Sequence, residues 1–369
     1  MIIMIPIAKP LIAQEEIDGV VGVMRSGMIA EGPRVKEFEE AFSKYIGVDH
    51  AIAVNSGTAA LHIALQARGI GKGDEVITTP FSFIATANSI LYTGAKPVFA
   101  DIEPDTFNID PEDIKGKITH RTRAILPVDL YGHPAEMKAI MDMAEDYRMA
   151  VIEDACQAHG ALYKGRKCGS FDMGCFSFYP TKNMTSGEGG MITCSDGKLA
   201  EKARMIRSHG SKVRYYHEML GYNMRMTDIG AAIGLAQLNK VDSFNNKRIE
   251  NAAYLSEQLK GIPGIVTPAV RQDCRHVFHQ YTVRVTGDFP LSRDALAQEL
   301  TKAGIGNSVF YPVPIHRQQI YQELGYNSYH PKSEQAAKEV ISLPVHPSII
   351  KEDIDEIAKT IKEISKMGV

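Results

Sequence analysis

The chain has 369 residues, 44% of them hydrophobic and 23% charged, which is enough to bury a large core and more than one compact domain usually holds. Its formal net charge of -3, with Lys and Arg scattered along the sequence, supplies no basic face for a nucleic-acid backbone. The five cysteines, Cys156, Cys168, Cys175, Cys194 and Cys274, form no Cys-x-x-Cys pair and have no His at zinc spacing, so they read as free thiols of a reducing cytosol and no metal is expected.

The N-terminal stretch carries no positive charge ahead of its apolar residues and is broken by Pro6 and Pro10. With no long apolar segment elsewhere, neither a signal peptide nor a membrane span is expected, and the expected location is the cytoplasm. From Ala51 to Thr193 short apolar runs alternate with longer amphipathic stretches, the rhythm of strands joined by crossover helices. Strands are predicted at Ala51 to Val54, Glu75 to Thr78, Lys96 to Ala100, Arg123 to Leu126, Ala150 to Glu153, Gly174 to Ser177 and Met191 to Thr193. Helices are predicted at Thr58 to Ala67, Ile84 to Tyr92 and Ala135 to Tyr147.

Beyond Thr227 one long helix is predicted through Leu259, ended by the Gly261-Ile262-Pro263-Gly264 turn and linking two domains. A strand at Gln280 to Val285 and helices at Arg293 to Ala303, Ser333 to Ile341 and Asp353 to Lys366 make a smaller α+β unit. The expected architecture is α/β: a mostly parallel central sheet with helices on both faces in a large domain, residues 1–245, followed by a smaller C-terminal α+β domain, residues 246–369.

Chemistry concentrates in three segments. In Ser177-Phe178-Tyr179-Pro180-Thr181-Lys182-Asn183, followed by Gly187-Glu188-Gly189-Gly190, a lysine sits just past a strand end on irregular backbone that a ligand can approach closely. Alone, Lys182 reads as a solvated surface lysine; its neighbours point elsewhere. The run Ala150-Val151-Ile152-Glu153-Asp154-Ala155 puts Asp154 at the C-terminal end of an apolar strand, where open α/β sheets bind ligands. Asp154 is then either a turn-capping carboxylate or the partner of a protonated pyridine nitrogen, with Gln157 placed to hydrogen-bond a phenolic oxygen. Val54-Asn55-Ser56-Gly57-Thr58 opens a helix whose unpaired N–H groups either are capped by Ser56 or Thr58 or seat a phosphate. Phosphate seat, carboxylate and lysine on three strand ends make the logic of a pyridoxal enzyme. The Gly69 to Asp74 stretch has the wrong spacing for a dinucleotide fingerprint and reads as a turn, and there is no Walker-type loop.

Over nearly its whole length the sequence resembles the DegT/DnrJ/EryC1/StrS family of sugar aminotransferases. The resemblance runs in order through Asn55 to His62, Gly73 to Ile77, Ser82 to Thr86, Glu153 to Gly160, Ser177 to Lys182, Gly187 to Gly190, Gly221 to Asp228 and Tyr311 to His316. It implies an aspartate-aminotransferase-like fold, pyridoxal 5'-phosphate as cofactor, and a homodimer with active sites at the subunit interface. Carried over by residue, it implies that Lys182 forms the Schiff base, that Asp154 partners the pyridine nitrogen and that Gln157 contacts the phenolate side. It places Gly57, Thr58 and Ser177 at the phosphate, Phe83 stacked on the ring, and Asn223 at the phosphate of the other subunit's cofactor. Cys156 stands where Ala is more usual, and Met224 where an aromatic or Ser is common. Relatives that dehydrate keto-sugars carry His at the lysine position, so Lys182 favours transamination.

The resemblance further implies L-glutamate as amino donor, a nucleotide-linked keto-sugar as acceptor, ping-pong kinetics, and a place in amino-sugar and surface-polysaccharide synthesis. Glu188 in the Gly187 to Gly190 loop resembles members acting at a 4-keto group; those acting at a 3-keto group more often carry Asp there. The Gly27 to Gly32 loop, Arg225, Tyr311 and His316 are candidates to hold the sugar nucleotide. His159, His209, His279, His316 and His346 form no local metal-ligand set. A sugar-nucleotide binder without catalysis, and a pyridoxal enzyme that dehydrates or aminates another ketone, stand as alternatives; intact Lys182, Asp154 and Gln157 argue against the first.

Overall fold

Seven short runs rich in Val, Ile, Ala and Met build the central sheet of the computed structural model, which describes residues 5–366. In chain order the strands are β1 (His50–Val54), β2 (Glu75–Thr78), β3 (Lys96–Phe99), β4 (Thr122–Leu126), β5 (Ala150–Asp154), β6 (Met173–Ser177) and β7 (Gly190–Cys194). Their spatial order is β1-β7-β6-β5-β4-β2-β3. Neighbours from β6 to β3 pair in parallel, while β7 runs antiparallel to both β6 and β1. It follows that β1, β5 and β6 point the same way and end on one edge of the sheet. Apart from Lys96 and Val98 on the edge strand β3, Arg123 on β4 and the strand ends His50, Ala150 and Ser177, the strand residues are buried, which is why their centres read as apolar runs instead of alternating ones.

One face is covered by the helix Gly57–Ala67, whose Leu61, Ala64 and Leu65 pack with Ile52, Ile152 and Ile192. On the other, Phe38, Phe42, Phe176 and Phe178 form an aromatic cluster beneath the helix Pro33–Ile46. Farther along, β8 (Ile265–Val266), β9 (Tyr281–Val285) and β10 (Val340–Leu343) form an antiparallel sheet with its own core, where Leu255, Leu259, Leu296, Ile357 and Ile361 meet. No helix among the described residues is long and apolar enough to cross a membrane.

Two predicted elements differ. The long helix beyond Thr227 is two, Asp228–Leu238 and Val241–Leu259. The first is apolar nearly all round and wedged against the helices Gln14–Ser26 and Pro33–Ile46, whereas the second turns its Ala252, Leu255 and Leu259 to the C-terminal core. The helix predicted to Ile341 stops at Glu339, and Val340 and Ile341 enter β10, because pairing with β9 offers this β-branched run a fully buried place.

Candidate active site

The common edge of β1, β5 and β6 opens into a cavity of about 580 Å³. Lys182, Asp154, Gln157, Gly57, Thr58, Ser177, Phe83 and Tyr311 all border it. Asn223, Arg225 and His316 do not.

Each of the first group is held by a local device. Ser56 has extended backbone and accepts from the Ala59 N–H at 3.1 Å, capping a helix start whose Gly57 and Thr58 line the cavity. Position 57 admits only glycine: a Cβ there would stand 2.8 Å from Ser177 Cβ and 3.0 Å from Cys156 Sγ. The end of β5 carries Asp154, which is buried; its Oδ2 accepts from Thr86 Oγ1 at 2.7 Å, and Thr86 Oγ1 in turn meets Ser82 Oγ at 2.9 Å. Gln157 accepts from the Tyr131 N–H through Oε1 at 2.9 Å, which turns its Nε2 toward the Tyr311 hydroxyl at 3.4 Å.

Lys182 follows the turn after β6, its N–H donating to the Tyr179 carbonyl at 2.9 Å. Enclosure by protein lowers its pKa from the ordinary lysine value, only partly offset by the Cys156 thiol and the Asp154 carboxylate. A larger share of neutral amine, and with it a better nucleophile and base, results. Phe83 remains 57% exposed, its ring tilted 38° against Tyr311 with centroids 6.3 Å apart. An exposed aromatic at a cavity wall has apolar surface still to cover.

The other three lie elsewhere. His316 is fully buried, its Nε2 3.1 Å from a Glu334 carboxylate oxygen and its ring packed against Phe99 and His330. Arg225 faces Glu31 at 3.5 Å, in a segment laid against the end of β1, where the Asn55 N–H donates to the Met224 carbonyl at 2.9 Å. Asn223, two residues earlier, is exposed.

Sequence reasoning gave no role to several cavity residues, among them Thr86, Tyr179 and Gln280, and weighed His279 only as a metal ligand. Thr86 was within reach, since Ser82 and Thr86 stand four apart on one side of a helix start. His279 and Gln280 precede β9 and arrive from the C-terminal part, which no local pattern reveals.

An amine, a fixed carboxylate and an open helix start border one cavity on the edge of a mostly parallel sheet, in a fold of the aspartate-aminotransferase-like class. The profile of the DegT/DnrJ/EryC1/StrS aminotransferase family matches residues 10–362, and the chain belongs to that family. It is a pyridoxal-phosphate-dependent aminotransferase. The chain is 45% identical to the pleiotropic regulatory protein of Geobacillus stearothermophilus, over 92% of each chain. It is 41% identical to the GDP-perosamine synthase of Caulobacter vibrioides, over 98% of each. The crystal structure of S. venezuelae DesV in complex with a ketimine intermediate superposes with a TM-score of 0.92 at 38% identity, covering 96% of this chain and 95% of that one. The cavity fits the cofactor: the bare backbone of Gly57 lets the helix start pack close against Ser177 at the cavity edge, and among the described residues the buried carboxylate bordering the cavity, Asp154, is already oriented by Thr86.

Proposed function

We propose that this chain transfers the amino group of L-glutamate to the 4-keto group of a nucleotide-linked sugar, with Lys182 moving the proton. One observation carries the reading: Lys182, Asp154 and the open helix start at Gly57 border a single cavity. The family membership and the GDP-perosamine synthase relative support a sugar-nucleotide acceptor. Glu188, exposed at the cavity wall after the left-handed Gly187, supports the 4-keto position.

Pyridoxal phosphate, when bound, supplies an electron-withdrawing ring that stabilises negative charge on the carbon losing a proton. Gly57, Thr58 and Ser177 would seat its phosphate, and Phe83 would stack on its ring. Asp154 keeps the ring nitrogen protonated, and the Thr86 hydroxyl stops that carboxylate from rotating away. Gln157 offers its Nε2 to the phenolic oxygen. Lys182 would hold the cofactor through its aldehyde and, as a neutral amine, would take the proton from the amino donor's α-carbon and supply one at the sugar carbon that receives the amino group. Ping-pong kinetics follow, because the donor's keto acid leaves before the sugar enters.

The large domain, residues 1–245, carries these groups, and the smaller one, residues 246–369, closes the cavity with Tyr311. A homodimer with shared sites accounts for two features. Asn223 is exposed and outside its own chain's cavity, and Ile17, Val21, Met24 and Met28 leave apolar surface uncovered along and just beyond the helix Gln14–Ser26. Arg225 lies in the same segment and serves the sugar nucleotide of the partner's site.

The test is a panel of UDP-, GDP- and dTDP-linked 3-keto and 4-keto sugars, each scored for glutamate-dependent amination. Preference for a 3-keto sugar would sink the regiochemistry; turnover of simple keto acids alone would sink the substrate class. Failure of glutamate to bleach the cofactor absorbance would sink glutamate as donor.

A further inference from the structure

Glu153 precedes Asp154 on β5 and therefore points to the opposite face of the sheet, where the chemistry above gives it nothing to do. It is fully buried, and its oxygens accept from the N–H groups of Gly169 at 2.8 Å and Phe171 at 3.0 Å. Asp129, just past β4, is also buried. Its N–H donates to the Asp154 carbonyl at 3.1 Å, and the Asp154 N–H donates to the Pro127 carbonyl at 2.9 Å, so residues 127–129 clamp the backbone that carries the cofactor-facing carboxylate. The Asp129 side chain accepts from the Ala135 N–H through Oδ1 at 2.9 Å, while its enclosed Oδ2 has no hydrogen-bond partner. A carboxylate oxygen from each residue and the Cys168 sulfur lie within 4.8 Å of one another.

We propose that Asp129 and Glu153 hold a proton between them and act as a positioning pair for Asp154, fixing the strand end that aims it at the cofactor. The inference rests on the reading of Asp154 as the ring-nitrogen partner. Two carboxyls this close and removed from water do not both ionise. Burial pushes both pKa values up, Asp129's further because of Asp154 and Glu153's further because of Asp129; the backbone donors to each, the Cys168 thiol at Asp129 and Arg166 near Glu153 pull the other way without prevailing. The thiols of Cys168, Cys175 and Cys274 also face one or other of the two carboxyls, and burial pushes the pKa of each up. An unpartnered Oδ2 bearing a proton is a hydroxyl, which costs far less to bury than an unpaired anion. The pair then carries one negative charge instead of two, and the clamp behind Asp154 is not strained by three neighbouring anions.

Infrared spectra of the wild-type protein at neutral pH should contain the carbonyl stretch of a protonated carboxylic acid, lost in Asp129→Asn. That variant keeps the bond from Ala135 and can donate an amide N–H to an ionised Glu153. In the wild-type holoenzyme, alkaline pH releases the shared proton and adds a negative charge behind Asp154, which favours the protonated cofactor. The pH midpoint of the cofactor absorbance should therefore fall in Asp129→Asn, by on the order of half a pH unit. No protonated-acid band in the wild type overturns the shared proton, whatever Asp154 does. A band that disappears as expected with an unmoved midpoint overturns the link to Asp154. A stoichiometric divalent metal in the wild type that is lost in Asp129→Asn overturns the pair in favour of a metal site.

Discussion

Replacing Gly57 by Ala adds one methyl group where the proposed phosphate seat has no space. The new Cβ would stand 2.8 Å from Ser177 Cβ, 3.0 Å from Cys156 Sγ and 3.3 Å from Ser177 Cα, and two of these atoms belong to the end of β6, which cannot move without disturbing the central sheet. Overpacking of this kind costs about 1–3 kcal/mol. In the cofactor-free chain the helix start can relax away from Ser177, so the strain returns when a phosphate pulls it back and appears as lost affinity. The expected loss is roughly 5-fold to 150-fold. Titrating the cofactor-free enzyme with pyridoxal phosphate, followed by cofactor absorbance, measures it. Adding Cys156→Ala removes the 3.0 Å contact but leaves the 2.8 Å one, so recovery should be partial. Unchanged affinity in Gly57→Ala would show that the phosphate sits somewhere other than this helix start.

Lys182→Ala should leave no borohydride-fixable link between cofactor and protein, because alanine cannot condense with an aldehyde; a link that survives removes Lys182 from its role. Asp154→Asn should retain cofactor yet slow turnover by orders of magnitude, since an amide does not hold the ring nitrogen protonated; near-normal turnover refutes the assignment. Mixing Lys182→Ala subunits with Asn223→Ala subunits should yield heterodimers that regain activity, one site having both residues intact. Absence of recovery despite measured subunit exchange counts against shared sites.

The central sheet was legible because most of its strand residues are buried, so most strands appear as short runs with an apolar centre, such as Val76-Ile77, Ala124-Ile125-Leu126 and Val151-Ile152. The same reasoning failed wherever the deciding contact was distant. Nothing between Leu238 and Val241 marks a break, neither Gly nor Pro; Leu238 and Val241 share one core, and the second helix then carries the chain on to the C-terminal core through Ala252, Leu255 and Leu259. Val340 and Ile341 continue a helical pattern in sequence but join β10, through a partner strand that lies before Arg293. In the cavity, Lys182, Asp154 and Gly57 stood at strand ends and could be found one segment at a time. Thr86 matters only because folding brings its hydroxyl to Asp154, a residue sixty-eight positions away, and His279 and Gln280 only because the C-terminal part closes over the cavity.

The same division separates chemistry from specificity. The groups assigned to the cofactor hang on strand ends whose positions the buried sheet fixes, so their geometry tolerates little change: one methyl at position 57 already collides with β6. The walls come from different material. Glu188 is exposed, and Tyr311 comes from a loop before the last sheet strand. Loops carry few of the contacts that hold the core, so they can vary without moving Lys182 or Asp154. A sequence therefore announces an aminotransferase through residues the fold constrains. The sugar is announced only by the residues that the fold leaves free, and among these Glu188 is the one whose carboxylate lies at the cavity wall.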